Sequence, residues 1–340
     1  MYENLSNLSF SFVIPTYNAA HHLESCLKSI RLQDYPQSDV EIFVVDGGSS
    51  DGTFGLAEKY NCRIIKNPKR LAEYGVQLGM REANNDFIVV FAADNELVGK
   101  TWLREVAEVF RKHPQISAVW GRLVSGERDS KLNKYFELIQ SDPLNWFLNK
   151  NLKRYKSYAF FPAQDHFIFY VDPLKPLVWG ANGLIYRRQA IQKIWDQKGY
   201  LGDNDAFHYM VENGCVSVAY FTKGFVYHHH VARISDWLRK WSRNFKYHLV
   251  DKQETRNMRW VFTGNFILKL IWWVFYSCIP IFSFMHSMYF ACKEKNRYWL
   301  YHSFVCMAQS ITYIYLVFSL KEARKLILKK WLLHLKGKKS

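Results

Sequence analysis

Phe87-Ile88-Val89-Val90-Phe91-Ala92-Ala93-Asp94-Asn95-Glu96 is the stretch on which the reading of this chain turns. Five apolar residues, three of them β-branched, run straight into a small polar and acidic turn. A short apolar run bounded by polar residues is the pattern of a strand buried on both faces of a parallel sheet. Ligands of open α/β sheets gather beyond the carboxyl ends of such strands. Asp94 therefore stands where a hard divalent cation and a phosphate could meet. The same residue could instead cap a helix opening at Thr101.

The neighbouring sequence decides what surrounds this strand. Phe10 to Ile14 reads as a strand stopped by Pro15, and a helix follows to about Gln33. Val40 to Val45 is a second strand, running into the glycine-rich Asp46-Gly47-Gly48-Ser49-Ser50-Asp51-Gly52-Thr53. Helices are expected over Thr53–Tyr60, Leu71–Ala83 and Trp102–Lys112, with a short strand over Cys62–Ile65. This βαβαβαβ alternation predicts an α/β fold, a parallel sheet with helices on both faces. After Val119 the rhythm changes. Leu132, Tyr135, Phe136 and Ile139 fall at helical spacing, and further helices are expected over Gln189–Trp195 and Ala206–Asn213. Val216–Ala219 and Gly224–Tyr227 read as two strands.

The 340 residues carry 46 Lys and Arg against 30 Asp and Glu, a surplus of 16 positive charges. Such a surplus suits nucleic acid, anionic lipid or phosphorylated ligands. Its densest part is Lys321–Ser340, with eight basic residues and one Glu. The six cysteines show no CxxC pair or metal-type spacing, which points to a reducing compartment. The stretch Met1–Ser9 has neither a basic nor an apolar signal region, so no secretory signal is expected there. Ile234 to Val250 places Trp237, Trp241, Phe245 and Leu249 on one helical face. Arg233, Arg239, Lys240, Arg243 and Lys246 fill much of the rest, as in a helix lying in a membrane interface or on a domain surface. Leu270–Cys292 and Trp299–Leu320, 23 and 22 residues, contain no Asp, Glu, Lys or Arg. Each is long enough to span a bilayer core of roughly 30 Å, although Pro280 would kink the first. Two spans would put both ends on one side, and the basic tail marks that side as cytoplasmic. The short linker Lys293-Glu294-Lys295-Asn296-Arg297 is also net positive, which favours a re-entrant or interfacial hairpin instead. Basic residues beside bilayer-length apolar segments fit anionic lipid better than nucleic acid.

Three motifs occur in order: Val13-Ile14-Pro15-Thr16-Tyr17-Asn18, Val44-Val45-Asp46-Gly47-Gly48-Ser49-Ser50-Asp51-Gly52-Thr53, and Ala92-Ala93-Asp94-Asn95. Gly180-Ala181-Asn182 to Arg187-Arg188 and Gly202-Asp203-Asn204-Asp205 follow. Together they resemble a family 2 glycosyltransferase, inverting and of GT-A fold, in a membrane-associated member. The resemblance implies a GT-A catalytic domain over 1–231, with a nucleotide-sugar half at 1–120 and an acceptor half at 121–231. A basic interfacial helix and linker would occupy 232–262, and two hydrophobic helices, transmembrane or re-entrant, with a basic tail would occupy 263–340. By the same similarity, Pro15, Thr16 and Tyr17 would touch the nucleoside, Asp46 would accept from uracil, and Gly47, Gly48 and Arg70 would flank the donor. Asp94 and His228 would hold Mg2+ or Mn2+ against the diphosphate. Asp203 would be the general base, with Asp205 as its alternative. Asn182 would lie on the acceptor side, and Arg239, Lys240 and Arg243 would meet phosphate. The sequence departs from the family pattern at Ala92 and Gly202, each standing where an acid is common.

These expectations define an enzyme moving a hexose or N-acetylhexosamine from a nucleotide-sugar donor, UDP-linked rather than GDP-linked, to a lipid-linked glycan acceptor. It would work at the cytoplasmic face of an inner or plasma membrane. Transfer of one sugar to polyprenyl phosphate is a second reading. The two missing acids leave a third, a non-catalytic nucleotide-sugar-binding subunit.

Overall fold

The computed structural model describes residues 8–149, 159–162, 165–173, 182–192, 203–251 and 266–337. In chain order the elements begin β1 (Phe10–Thr16), α1 (Ala20–Arg31), β2 (Val40–Asp46), α2 (Thr53–Lys59), β3 (Arg63–Lys66) and α3 (Ala72–Glu82). Next come β4 (Phe87–Val90), β5 (Asn95–Leu97), α4 (Trp102–Lys112), β6 (Ala118–Val124), α5 (Lys131–Ile139) and α6 (Pro143–Asn149). They are followed by β7 (Ala159–Pro162), β8 (His166–Tyr170), β9 (Leu184–Arg187), α7 (Arg188–Ile191), α8 (Asp203–Glu212) and β10 (Ser217–His228). The C-terminal part comprises α9 (Ile234–Asn244), a π-helical turn (Phe245–Asp251), α10 (Phe266–Cys278), α11 (Pro280–Lys293), α12 (Tyr301–Ser319) and α13 (Lys321–Gly337).

The chain divides into two compact units. One is Met1–Gly126 with Lys153–His228, the other Glu127–Leu152 with His229–Ser340. Glu127–Leu152, expected in the acceptor half of the catalytic domain, groups by contacts with the C-terminal unit.

In the first unit the strands run β3-β2-β1-β4-β9-β6-β10-β8-β7, with β5 pairing β10. The expected parallel half is present: β1 pairs in parallel with β2 and β4, and β2 with β3. Beyond β4 the sheet is mixed, because β9 inserts antiparallel between β4 and β6. The two strands expected over Val216–Tyr227 are one, β10, with a register shift between Phe221 and Val226. Alternating side chains give the sheet two apolar faces. Phe10, Phe12 and Ile14 of β1 share one core with Leu23, Leu27 and Ile30 of α1 and with Leu103, Val106 and Phe110 of α4. The opposite face packs on α3. A Cβ at Gly75 would meet Pro15 Cβ at 3.1 Å, and one at Gly79 would overlap the Val13 side chain. Glycines one helical turn apart thus let α3 lie close on β1 and β2.

The second unit has its own core. Leu132, Tyr135, Phe136 and Ile139, the helical stripe expected in α5, pack with Val231, Trp237, Trp299 and Val305. Ser130 accepts from Asn133 N–H at 3.0 Å and so caps α5. The Trp face of α9 is not left for a membrane: Trp237 is buried, its ring centroid 5.1 Å from that of Phe136. The two long apolar segments also differ from continuous spans. Among the described residues no single helix is long and apolar enough to cross a membrane; instead two pairs are bent, Leu268–Cys278 with Pro280–Lys293 by 80° and Arg297–Ser319 with Lys321–Lys329 by 98°.

Candidate active site

The carboxyl ends of β1 and β2 are stitched into one loop system. Asp46, at the end of β2, is 2% exposed. Its Oδ1 accepts from the Thr16 hydroxyl at 3.0 Å and from the Ser49 hydroxyl. Its Oδ2 accepts from the N–H groups of Gly48 and Ser49, both at 2.7 Å. A carboxylate offers about four acceptor positions, and all four are in use. These bonds make Asp46 the organiser of the loop. Thr16, with its hydroxyl on Asp46 and its carbonyl accepting from Gly47 N–H at 2.8 Å, belongs to the same framework. Pro15 packs against Gly75 of α3.

Tyr17 and Arg70 are what this loop presents outward. Tyr17 is 50% exposed, and the Arg70 guanidinium lies 5.2 Å from its ring centroid. Arg70 holds a left-handed φ of 54°. Gly48, at φ 86°, takes a conformation open to glycine, and a Cβ there would stand 3.6 Å from the Arg70 guanidinium. A Cβ on Gly47 would lie 3.4 Å from Arg70 and from the Thr16 carbonyl, an ordinary contact, so both glycines border the Arg70 side chain. Asp51, one residue before the Gly52 cap of α2, accepts from the Thr53 N–H at 3.2 Å and hydroxyl at 2.6 Å, and also receives Ala20 N–H at 3.0 Å. The Thr53 hydroxyl, foremost, holds the Asp51 carboxyl below its usual range.

The second half of the site is at the end of β4. The short strand β5 pairs antiparallel with the end of β10, His228 opposite Asn95. That pairing brings His228 Nε2 to 3.7 Å from Asp94 Oδ2, both side chains part-exposed. The structure therefore unites the two expected metal ligands. Metal–ligand bonds of roughly 2.0–2.2 Å allow two ligand atoms on one ion to lie up to about 4 Å apart, so the spacing fits. A carboxylate with one imidazole suits Mn2+ better than Mg2+, which prefers oxygen.

Asn182 does something other than the acceptor role expected of it. Its amide and that of Asn95 bond reciprocally, at 2.5 and 2.9 Å, and its oxygen also accepts Ala92 N–H at 3.2 Å. Asn95 is fully buried. This clasp holds the turn that carries Asp94. Sequence reasoning missed it because the partners are 87 residues apart.

Asp203 opens α8, inside the helix rather than before it. Its side chain, like Gly180, Ala181 and Gly202, lies outside the described residues. Asp205 is 1% exposed in the first turn of α8. In the second unit Arg239, Lys240 and Arg243 all lie on the exposed side of α9. Arg239 sits 3.7 Å from Asp236, and Lys240 Nζ is 3.2 Å from His230 Nδ1.

Residues 11–174 match the family described as Glycosyl transferase family 2. The chain is 30% identical over 146 residues to the dolichyl N-acetyl-alpha-D-glucosaminyl phosphate 3-beta-D-2,3-diacetamido-2,3-dideoxy-beta-D-glucuronosyltransferase of Methanococcus voltae, covering 40% of this chain and 45% of that one. It is 28% identical over 112 residues to the poly(ribitol-phosphate) beta-N-acetylglucosaminyltransferase TarS of Staphylococcus aureus, covering 31% of this chain and 19% of that one. The matched part thus spans less than half of either relative. A mannosyltransferase of Pyrobaculum calidifontis, solved in complex with GDP-Man and Mn2+, superposes with a TM-score of 0.52 at 14% identity, over 89% of this chain and 86% of that one. That likeness speaks to the fold. Residues 11–174 are thus similar to family 2 glycosyltransferases, and the mixed α/β sheet resembles the GT-A fold.

Proposed function

We propose that this protein is an inverting glycosyltransferase moving a hexose or N-acetylhexosamine from a UDP-linked donor to a lipid-linked glycan acceptor, at the cytoplasmic face of an inner or plasma membrane. The observation that carries the reading is the Asp94–His228 pair, set by β5–β10 pairing at the carboxyl end of β4. The two curated relatives, named for transfer to a dolichyl-linked sugar phosphate and to poly(ribitol-phosphate), support a glycan acceptor. Tyr17 supplies an aromatic face for the base, and Arg70 places positive charge beside it. A divalent ion held by Asp94 and His228 would offset the negative charge that develops on the departing diphosphate. Asp203 would accept the acceptor hydroxyl proton as that oxygen attacks the anomeric carbon from the face opposite the nucleotide.

The test is UDP release and lipid glycosylation in detergent, titrated with Mn2+. Asp94→Ala should lower metal-supported turnover about 100-fold or more, as loss of a charge-stabilising group does, and should weaken Mn2+ binding measured without acceptor. Asp203→Asn should abolish turnover and keep UDP binding. Metal-supported turnover unchanged in Asp94→Ala would overturn the assigned site. UDP-sugar binding by the wild-type chain with no transfer to any lipid acceptor would overturn the enzymatic reading.

A further inference from the structure

The helices from α10 to α12 are built inside out. Ser277, Ser283, Ser287, His302, Gln309 and Ser310 are buried. Their polar atoms are used between helices. Ser277 Oγ lies 2.6 Å from Ser310 Oγ across α10 and α12, and Ser283 Oγ lies 2.7 Å from Ser303 Oγ across α11 and α12. Ser303 N–H donates to Ser287 Oγ at 3.2 Å. His302 sits between the Tyr135 and Tyr276 hydroxyls, at 2.7 and 2.8 Å. The outer surface carries Trp272, Phe275, Ile281, Phe282, Phe284 and Met285, with Trp272 68% and Met285 64% exposed. In water this distribution is unfavourable, because each apolar side chain left exposed forgoes the free energy of its burial. A soluble monomer seldom shows so continuous an apolar surface. In hydrocarbon the cost disappears, and interhelical hydroxyl bonds become the contacts that hold helices together.

Length and shape then decide how these helices meet a bilayer. With 13 and 14 residues, α10 and α11 each reach about 20 Å at roughly 1.5 Å per residue, short of a core of about 30 Å. Ile279, extended at φ −98° and ψ 91°, separates them, and Pro280 opens α11 where its missing N–H costs nothing. The pair is bent by 80°, and α12 with α13 by 98°. Lys293 ends α11, and Lys295 and Arg297 follow it in the linker. Along α13, Arg324, Lys325 and Lys329 accompany exposed Ile327, Leu328 and Leu332, the composition of a helix at a lipid headgroup level.

We propose that α10–α13 form a monotopic, re-entrant anchor: the bent pairs sink into one leaflet of an anionic bilayer and return, so that the chain does not cross. The proposal deepens the reading of a membrane acceptor and rests on it only for which membrane is used. It places the linker after α11 on the same side of the bilayer as the glycosyltransferase domain.

Two native cysteines test it in the full-length protein. Cys292, exposed at the end of α11, reports the linker, and Cys215 reports the first unit. Sealed spheroplasts and inverted membrane vesicles are treated with a membrane-impermeant maleimide, and each cysteine is read by peptide mass spectrometry. Asn296→Cys adds a probe in the linker itself. Labelling of the linker probes in the same preparation as Cys215, with the chain retained in the pellet after alkaline carbonate, is the expected result. Linker labelling only in the opposite preparation would show a crossing and overturn the proposal. Release by carbonate, or recovery of a soluble dimer with the apolar faces covered, would overturn it equally. Sugar transfer is measured separately in detergent, where topology has no bearing, so loss of the anchor and loss of the enzymatic reading are distinguishable.

Discussion

Asp46 shows how one residue can carry a structural role that its sequence position does not announce. It ends the second parallel strand beside two glycines, which is where a base-binding acid is expected. The structure fills all its acceptor positions with Thr16, Gly48 and Ser49. Asp46→Asn replaces one acceptor oxygen with a donor NH2 that faces N–H groups. Each buried bond lost costs about 1–3 kcal/mol, so the variant should melt at lower temperature. UDP affinity should fall with it, because the loop that Asp46 organises through Thr16 carries Tyr17 beside Arg70. Equal stability of variant and wild type in a urea titration would contradict this. The candidate site was thus legible where it depends on a strand end followed by an acid, as at Asp94, or on a His closing a strand, as at His228. It was not legible where function is lent by a distant amide or hydroxyl. Nothing near Asn182 in sequence indicates that its partner is Asn95, and nothing near Tyr17 announces Arg70 over its ring.

At the scale of elements, α2 and α3 offer a paired test of what a helical glycine is for. Gly79 of α3 abuts Val13, whereas a Cβ on Gly55 of α2 would meet nothing within 4 Å. Ala gains roughly 0.8–1 kcal/mol over Gly in helix propensity, but overpacking a filled core costs about 1–3 kcal/mol. Gly79→Ala should therefore lower the urea midpoint and Gly55→Ala raise it. A stabilising Gly79→Ala would mean that α3 does not lie this close on the sheet. The order β1-α1-β2-α2-β3-α3-β4 could be read from sequence because each strand is locally continuous and each helix locally periodic. The antiparallel insertion of β9 could not, since pairing over about a hundred residues leaves no local signature. A second element-level prediction concerns the junction of α4 and β8, where His166 Nε2 lies 3.0 Å from His113 Nε2 and His166 Nδ1 lies 2.8 Å from Asp165. Burial, and then the neighbouring His166, hold His113 below its ordinary value. Above an unfolded pKa near 6.5 both states are neutral and the full stability is present. As pH falls through that value the unfolded chain takes up a proton that the native state resists, so stability declines, by at most about 1.4 kcal/mol per pH unit for one group. The urea midpoint should drop between neutral and mildly acidic pH, and His113→Gln should shrink the drop.

At the scale of the whole molecule, two forces would act on the proposed membrane association, and salt separates them. The surplus of 16 positive charges acts at long range. Each Lys or Arg near an anionic surface contributes about 1 kcal/mol, within a screening length of roughly 8–10 Å at physiological salt. The apolar surface of α10–α12 acts only at contact and is insensitive to salt. Charge should therefore govern how fast the protein finds a bilayer, and apolar burial should govern whether it stays. Association with preformed vesicles containing anionic lipid, followed by energy transfer from tryptophan to a labelled lipid, should slow about 10-fold or more between low and high salt. Protein already bound should remain in the pellet when salt is raised afterwards. If raised salt releases it, the electrostatic term alone holds the chain at the surface, and the exposed aromatic faces of α10–α12 are covered by something other than lipid.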